Sequence, residues 1–221
     1  AEYCNSTWID CEFQGNSVNT DGGGAFIKNE CDIAMTGCTF TGNSGGYDGG
    51  AIRVLENSSL DISASIFEGN SVTGGNGRGG AIQVQNTSTL NAALCEFNNN
   101  YSAANGGAIE INGNNNVTLT DCSFTGNTAD GTTNGNGGGM FITSASPTLN
   151  GCTFTNNTAV QDGGGMWNDQ NSNPILLDCL FTNNTGMNGG AMRNRNGSNP
   201  TLTNCSFTQK SAIDGGGMFN E

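Results

Sequence analysis

The chain has 221 residues, a net charge of −13, no histidine and only six lysine or arginine residues. A nucleic-acid binder needs a basic stripe that replaces the counterions on phosphates, so this composition excludes that class. No apolar run reaches the roughly 18 to 20 residues that span a bilayer, and we therefore expect no membrane span. The sequence begins at Ala1 without a basic and apolar leader, which favours either a processed secreted protein or a fragment of a longer one.

The nine cysteines indicate where the protein works. They form no Cys-x-x-Cys pair, and the absence of histidine excludes the mixed cysteine and histidine zinc sites. So many cysteines are unusual in a cytosolic protein. We therefore predict an extracellular or cell-surface location.

A short unit repeats along the whole chain. Its clearest marker is a phenylalanine, which recurs at a nearly constant interval from one end of the sequence to the other. The period falls in the range that is typical of a solenoid. The markers are Phe13, Phe40, Phe67, Phe97, Phe124, Phe154, Phe181 and Phe207.

Other positions of the unit repeat with the phenylalanine. The residue two before it is cysteine in every copy except one, where Ser65 stands. The residue three after it is asparagine until the last copy, which has Lys210. A Gly-Gly step into an apolar residue follows, as in Gly106-Gly107-Ala108-Ile109. The asparagines are Asn16, Asn43, Asn70, Asn100, Asn127, Asn157 and Asn184.

The composition of the unit favours strands. Helical repeats need Ala, Leu, Glu and Lys, whereas this unit consists of Gly, Asn, Thr and Ser, which are poor in helix interiors. Its apolar residues alternate at period two, as in Ile109-x-Ile111, with turn residues between the runs. The sequence therefore predicts an all-β fold, a parallel β-helix of about eight coils in a single domain over residues 1–221. At about 4.8 Å per coil the rod is roughly 40 Å long.

The pairing of Phe-x-x-Asn with Gly-Gly-Ala-Ile resembles the repeats of the polymorphic outer-membrane proteins of chlamydiae. It is also similar to related extracellular β-helix proteins of many microbes, and the resemblance covers essentially all 221 residues. The resemblance implies a right-handed β-helix. It also implies an adhesin whose passenger region precedes a C-terminal membrane barrel, and no alternating barrel segment follows Phe219.

In a β-helix, equivalent residues of successive coils stack into columns. We expect the phenylalanines to form a stacked core and the asparagines to form an amide ladder at a turn. We expect both columns to stabilise the fold and to take no part in catalysis or ligand binding. We predict no catalytic, cofactor-binding or metal-binding residue, and no enzyme.

Two further columns have alternative interpretations. Cysteines in adjacent coils are close enough for disulfides or serve as buried thiols, and Cys4 with Cys31 is the disulfide that we predict. The residue before each Gly run is either a turn former or part of a calcium ladder, and its mixed composition favours the turn. The members of this second column are Asp21, Asp48, Arg78, Asn105, Asn136, Asp162, Asn188 and Asp214.

Two minor functions compete with a structural role. Thr-x-Thr pairs such as Thr39 and Thr41 are typical of ice-binding solenoids, but residues such as Glu68 interrupt the array. Polysaccharide-active β-helix enzymes need clustered acids beside a basic residue, and Arg193 with Arg195 has no acid cluster near it in sequence.

Asn-x-Ser/Thr sequences are numerous, and five of them fall where a glycan is most acceptable. These glycosylation candidates are Asn57, Asn86, Asn156, Asn183 and Asn196. Asn100 also begins such a sequence, but its place in the ladder predicts that it stays unmodified. Glycans are accordingly possible partners.

The sequence ends at nearly the same position within the repeat unit as the one at which it begins. The segment Gly217–Glu221 corresponds to Gly24–Lys28 of the first copy, so one chain ends near the point where another begins. Solenoids usually carry capping repeats, and neither end resembles one. We therefore expect an extracellular structural protein that stacks head to tail on itself into a fibre or surface layer. The alternative is a passenger-type adhesin fragment of a longer surface β-helix protein.

Overall fold

The computed structural model describes residues 4–221, which form 29 strands joined by turns and bends and contain no helix. The strands are two to five residues long. Every strand pairs in parallel with the strand at the same position in the neighbouring coil. The predicted parallel β-helix is confirmed. Among these residues, no helix that could cross a membrane is found.

Four sheets run along the rod, numbered here by their order within a coil. Sheet 1 consists of Asn5–Ile9, Asp32–Thr36, Ser59–Ser63, Thr89–Ala93, Asn116–Thr120, Thr148–Asn150, Ile175–Leu177 and Thr201–Thr203. Sheet 2 consists of Glu12–Gln14, Thr39–Thr41, Ile66–Glu68, Glu96–Asn98, Ser123–Thr125, Thr153–Thr155, Leu180–Thr182 and Ser206–Thr208. Sheet 3 consists of Ser44–Gly45, Ser71–Val72, Tyr101–Ser102, Thr128–Ala129 and Thr158–Ala159. Sheet 4 consists of Ala25–Ile27, Ile52–Val54, Ile82–Gln85, Ile109–Asn112, Met140–Thr143, Met166–Asp169, Met192–Asn194 and Met218–Asn220.

The register follows the repeat. Phe97 of sheet 2 pairs with Phe67 on one side and Phe124 on the other. Because side chains alternate between the faces of a strand, this pairing places every phenylalanine of the column on the same face of the sheet. The rings stack nearly parallel, with centroids 4.6 to 5.0 Å apart. The six rings from Phe40 to Phe181 are fully buried.

The Gly-Gly step is required where two coils approach closely. A Cβ atom at Gly50 would collide with the backbone of Gly80 in the next coil and of Ser71. Gly49, just before it, has a φ of +63°, in the left-handed region that favours glycine. The step therefore turns the chain into sheet 4 without a side chain between the coils.

Candidate functional site

The asparagine column forms a continuous hydrogen-bonded ladder. Asn100 illustrates one step: its backbone N–H and its Nδ2 both donate to Oδ1 of Asn127 at 3.0 Å. The same Nδ2 donates to the carbonyl oxygen of Phe67 in the preceding coil at 3.0 Å. Each side chain thus presents its acceptor to the preceding coil, whereas its Nδ2 donates to both the preceding and the following coil. All members from Asn43 to Asn184 are fully buried.

The ladder ends at Lys210. Its Nζ donates to the carbonyl oxygen of Phe181, the same acceptor that an asparagine would use there. Partial burial lowers the pKa of Lys210 to about 8. A lysine side chain has no acceptor atom. Among the described residues, the backbone N–H of Asn184 therefore lacks the side-chain oxygen that receives this bond in the earlier coils.

The cysteine column consists of free thiols. In the inner coils each Sγ faces the backbone of the preceding coil, as Cys122 does toward the carbonyl oxygen of Ala92 at 3.5 Å. Burial raises the pKa of Cys38 and of Cys205, which disfavours the reactive thiolate. The inner members of this column are almost completely buried and pack as small apolar side chains; they are Cys38, Cys95, Cys122, Cys152 and Cys179.

Cys4 and Cys31 lie beside each other at the N-terminal end of the described rod. Their successors Asn5 and Asp32 pair in register, and the N–H of Asp32 donates to the carbonyl oxygen of Cys4. The neighbouring Cys31 thiol raises the pKa of Cys4. Both residues are free cysteines here, so the disulfide stays a prediction.

The column before the Gly runs adds another set of hydrogen bonds. Oδ1 of Asp162 accepts from the backbone N–H and the Nδ2 of Asn188 at 2.9 and 2.8 Å. Oδ1 of Asn105 accepts from Asn136 in the same way. Within residues 4–221 no cluster of three or more acidic, cysteine or histidine side chains is arranged to hold a metal ion. The geometry of this column is that of a turn with a side-chain ladder.

A charged cluster on the outer face of sheet 4 joins two columns that sequence reasoning had kept apart. Arg53 forms ion pairs with Asp21 and with Asp48, the latter at 3.1 Å. Arg78 pairs with Asp48 at 3.0 Å and lies 3.7 Å from Glu110. We call these five residues the sheet 4 charge cluster. Asp48 and Glu110 are almost completely buried.

Glu110 is the titratable group of this cluster whose pKa changes most. Burial raises its pKa to about 7, and Arg78 opposes that shift only in part. Its Oε2 has no hydrogen-bond partner, and neither has Oε1 of the adjacent Gln83. The carboxyl is buried, and a pKa of about 7 places its titration near neutral pH.

A second cluster lies on the same face near the other end of the rod. Arg193 lies between two aromatic rings, with its guanidinium carbon 4.7 Å from the centroid of Trp167 and 5.2 Å from that of Phe219. It also pairs with Asp162 and Glu221. The four contacts bind three successive coils together. They also explain how an arginine is buried on an outward-facing strand position.

Sequence reasoning missed both clusters for the same reason. It compared acids and bases by distance along the chain, whereas Arg53, Arg78 and Glu110 lie about one coil apart. The clusters could have been found by comparing, across coils, the residue that follows the first apolar residue of each sheet 4 strand. This outer column comprises Phe26, Arg53, Gln83, Glu110, Phe141, Trp167, Arg193 and Phe219.

The structure also places the predicted surface residues. The glycosylation candidates Asn57, Asn86, Asn156, Asn183 and Asn196 are all exposed, and each adopts a positive φ at a turn. Asn100 is fully buried in the ladder. The Thr-x-Thr positions lie on the outer face of sheet 2, where Thr41 pairs with Glu68 and the threonine array is broken.

A shallow groove with a mainly apolar lining crosses the outer face of sheet 1. It has a volume of about 380 Å³ and is lined by residues such as Ala34, Asp61, Asn91 and Thr118. Nδ2 of Asn91 donates to Oδ1 of Asp61 at 2.7 Å. Small side chains on neighbouring strands leave the groove open.

Comparison with known proteins supports the architecture. A family model described as a right-handed β-helix region matches residues 2–139 and 50–220. Neither the curated proteins nor the solved structures gave a match.

Proposed function

The chain belongs to the right-handed β-helix family. We propose that it is an extracellular structural protein that stacks end to end. The stacked rods would form a fibre or a surface layer. The partner of one chain is then another copy of the same chain, and the location is extracellular or at the cell surface.

The observation that carries this proposal is the direction of the asparagine ladder. Asn43 accepts two hydrogen bonds from Asn16 and donates to Asn70, and the same arrangement repeats along the rod. Each coil thus offers its successor the same donors and its predecessor the same acceptor. A contact between two chains can reuse a contact that the chain already makes between its coils, and a head-to-tail contact of this kind grows without closing.

The surface of the rod is consistent with an extracellular location. Five predicted glycosylation sites are exposed, and none of them takes part in the buried ladder. Glycans attached at these turns would project sideways from the rod and would leave the ends free. Expression in a eukaryotic secretory host, followed by glycopeptide mapping, tests whether these sites accept glycans.

A passenger-type adhesin is the second candidate, and the groove on sheet 1, an apolar floor with a few polar side chains, favours it. Asp61, Asn91 and Thr118 supply hydrogen-bonding groups that a neutral glycan can use. In that case the groove would be the working surface, and stacking would play no part. A glycan array probed with the wild type and with Asn91→Leu separates this candidate from the first.

Negative-stain microscopy of the purified chain tests the proposed stacking. The proposal predicts rods whose lengths are multiples of roughly 40 Å, the length of eight coils at the spacing of β-strands. The number of long rods should rise with protein concentration. Uniform short rods at every concentration would contradict end-to-end stacking.

A further inference from the structure

The contacts between coils specify how two chains meet. Resting on the proposed function, we infer that the C-terminal coil of one copy binds the N-terminal coil of a second in unbroken register. Phe13 of the second copy then stacks on Phe207 of the first. If Ala1 of the second copy directly followed Glu221 of the first, these two phenylalanines would be as far apart in sequence as Phe13 and Phe40 are within one chain.

The asparagine ladder supplies the first match. Within residues 4–221, Oδ1 of Asn16 accepts no hydrogen bond, and the backbone N–H of Lys210 donates none. In register, the Lys210 N–H of one copy donates to Asn16 Oδ1 of the next. The Nδ2 of that Asn16 reaches the carbonyl oxygen of Phe207, as Asn43 Nδ2 reaches Phe13 at 2.8 Å. The donor at position 210 is a backbone N–H, so replacing asparagine by lysine there leaves this match intact.

The apolar columns supply the second match. Trp8 and Phe13 at one end, and Leu202, Phe207 and Met218 at the other, are only partly buried against the core. Their equivalents in the inner coils, such as Phe40, Phe181 and Met192, are fully buried. At the C-terminal end a cavity of about 450 Å³ is lined by residues that include Leu202 and Met218. The Trp8 side chain of a second copy stacks over Leu202 and fills part of this space.

Charge supplies the third match. Extending the register of sheet 4 by one coil places Lys28 of the second copy beside Glu221 of the first. Both side chains are exposed and carry opposite charges. Phe26 of the second copy, which is 44% exposed, falls on Phe219, next to Arg193. The junction thus places one aromatic ring on another in this column, as Phe141 and Trp167 do within the chain.

One interior column does not match. Asn168, Asn194 and Asn220 form a short ladder through Nδ2 to Oδ1 bonds of 2.7 Å, and the residue that follows Asn220 in register is Ile27, which cannot accept a hydrogen bond. Specificity for the second copy therefore depends on the Asn16, Phe13 and Lys28 columns. The core column at Ile27 contributes no hydrogen bond, and the Nδ2 of Asn220 gains no side-chain acceptor there.

A covalent tandem tests the register without requiring that free chains assemble. Two copies are joined directly, from Glu221 of the first to Ala1 of the second, and Phe13→Ala is introduced into one copy at a time. Phe13 of the first copy has one ring neighbour in its own column, whereas in the predicted register Phe13 of the second copy has two. We expect the second-copy variant to lower the denaturation midpoint about twice as far as the first-copy variant. The two variants have the same composition, so each controls for the other.

A fluorescence measurement gives an independent reading of the same tandem. All tryptophans except one Trp8 are replaced by phenylalanine, with that Trp8 retained in the first copy or in the second. The second-copy Trp8 should emit at a shorter wavelength, because Leu202 covers it. Equal emission, together with equal midpoints for the two Phe13 variants, would overturn the junction.

The two proposals can fail separately. A tandem that shows the unequal midpoints while single chains stay as uniform short rods supports the junction and contradicts stacking as the function. Long rods formed by single chains, with a tandem whose Phe13 variants have equal midpoints, contradict this register and leave the structural role to another contact.

Discussion

The two sides of each coil follow different rules. On one side, the phenylalanine column and the asparagine ladder repeat the same residue from coil to coil, and every inner member makes the same contacts. On the other side, the outer column of sheet 4 changes at each step between aromatic, cationic, polar and acidic residues. The repeating side makes coils interchangeable. The varied side gives each coil a particular neighbour.

We infer that the repeating columns stabilise the rod, whereas the varied column determines which coils pair. If part of the rod paired with a coil one position away from its native partner, the repeating columns would keep almost every contact, because phenylalanine would again stack on phenylalanine. The same shift in pairing would separate Arg53 from Asp21 and Arg193 from Asp162. We therefore interpret the sheet 4 clusters as devices that fix the register of an otherwise uniform rod.

The largest effect is expected on the repeating side. Phe97 is fully buried between Phe67 and Phe124, whose ring centroids are each 4.8 Å away. Phe97→Ala should lower the free energy of unfolding by about 4 kcal/mol, because it removes contacts on both ring faces and leaves a cavity. Urea denaturation measures the change. The exposed neighbour Glu96→Ala is the control, and equal losses for the two variants would contradict a stacked core.

The ladder should respond next. Asn100→Ala removes the donor to Phe67 O and the acceptor of two bonds from Asn70. The buried groups left without partners should reduce the free energy of unfolding by about 3 kcal/mol. The same denaturation experiment with the exposed Asn114→Ala should show almost no change. A ladder variant that resembles this control would show that the amide bonds contribute little.

The varied side should show a dependence on pH. The pKa of Glu110 is raised to about 7 in the folded chain, above its usual value of 4.5, so the folded state favours the protonated carboxyl. This group stabilises the fold fully below pH 4.5, and its contribution is lost as the pH rises through 7. The loss is on the order of 3 kcal/mol.

Thermal unfolding between pH 4.5 and pH 8 measures this contribution. Glu110→Gln should flatten the decline in Tm, whereas the exposed Glu68→Gln should keep it. If the Tm of Glu110→Gln fell with pH in parallel with that of the wild type, a group other than Glu110 would be responsible for the decline. Asp48 must be considered alongside, since burial raises its pKa too, against the opposing charges of Arg78 and Arg53.

The smallest effect is expected at Lys210. Lys210→Asn supplies the missing acceptor for Asn184 and keeps a donor for Phe181 O, so it should raise the free energy of unfolding by about 1 kcal/mol. Lys210→Ala removes that donor and should be less stable than the wild type. Chemical denaturation should therefore find Lys210→Asn the most stable, the wild type intermediate and Lys210→Ala the least stable. The reverse order would contradict the donor and acceptor roles assigned to position 210.

Much of the architecture was predictable because a repeat converts sequence spacing into spatial contact. The interval of the repeat placed Phe97 against Phe124, and the structure confirms that pairing. The same reasoning predicted that Asn100 lies in the ladder, where it is fully buried. The short sheet 3 and the sheet 4 clusters were not predicted. Arg78 reaches Glu110 from a different column, and long side chains cross between columns in ways that a repeat does not specify.

Sedimentation velocity of the single chain over a wide concentration range tests the central claim most directly. Wild-type protein should shift toward larger sedimentation coefficients as its concentration rises, because the coil ends bind one another. Phe207→Asp places a charge on the end contact and should remain a single slow species, whereas the lateral control Asp61→Asn should associate like the wild type. A wild type that sediments as one unchanging species, or a Phe207→Asp variant that associates equally well, would contradict end-to-end stacking.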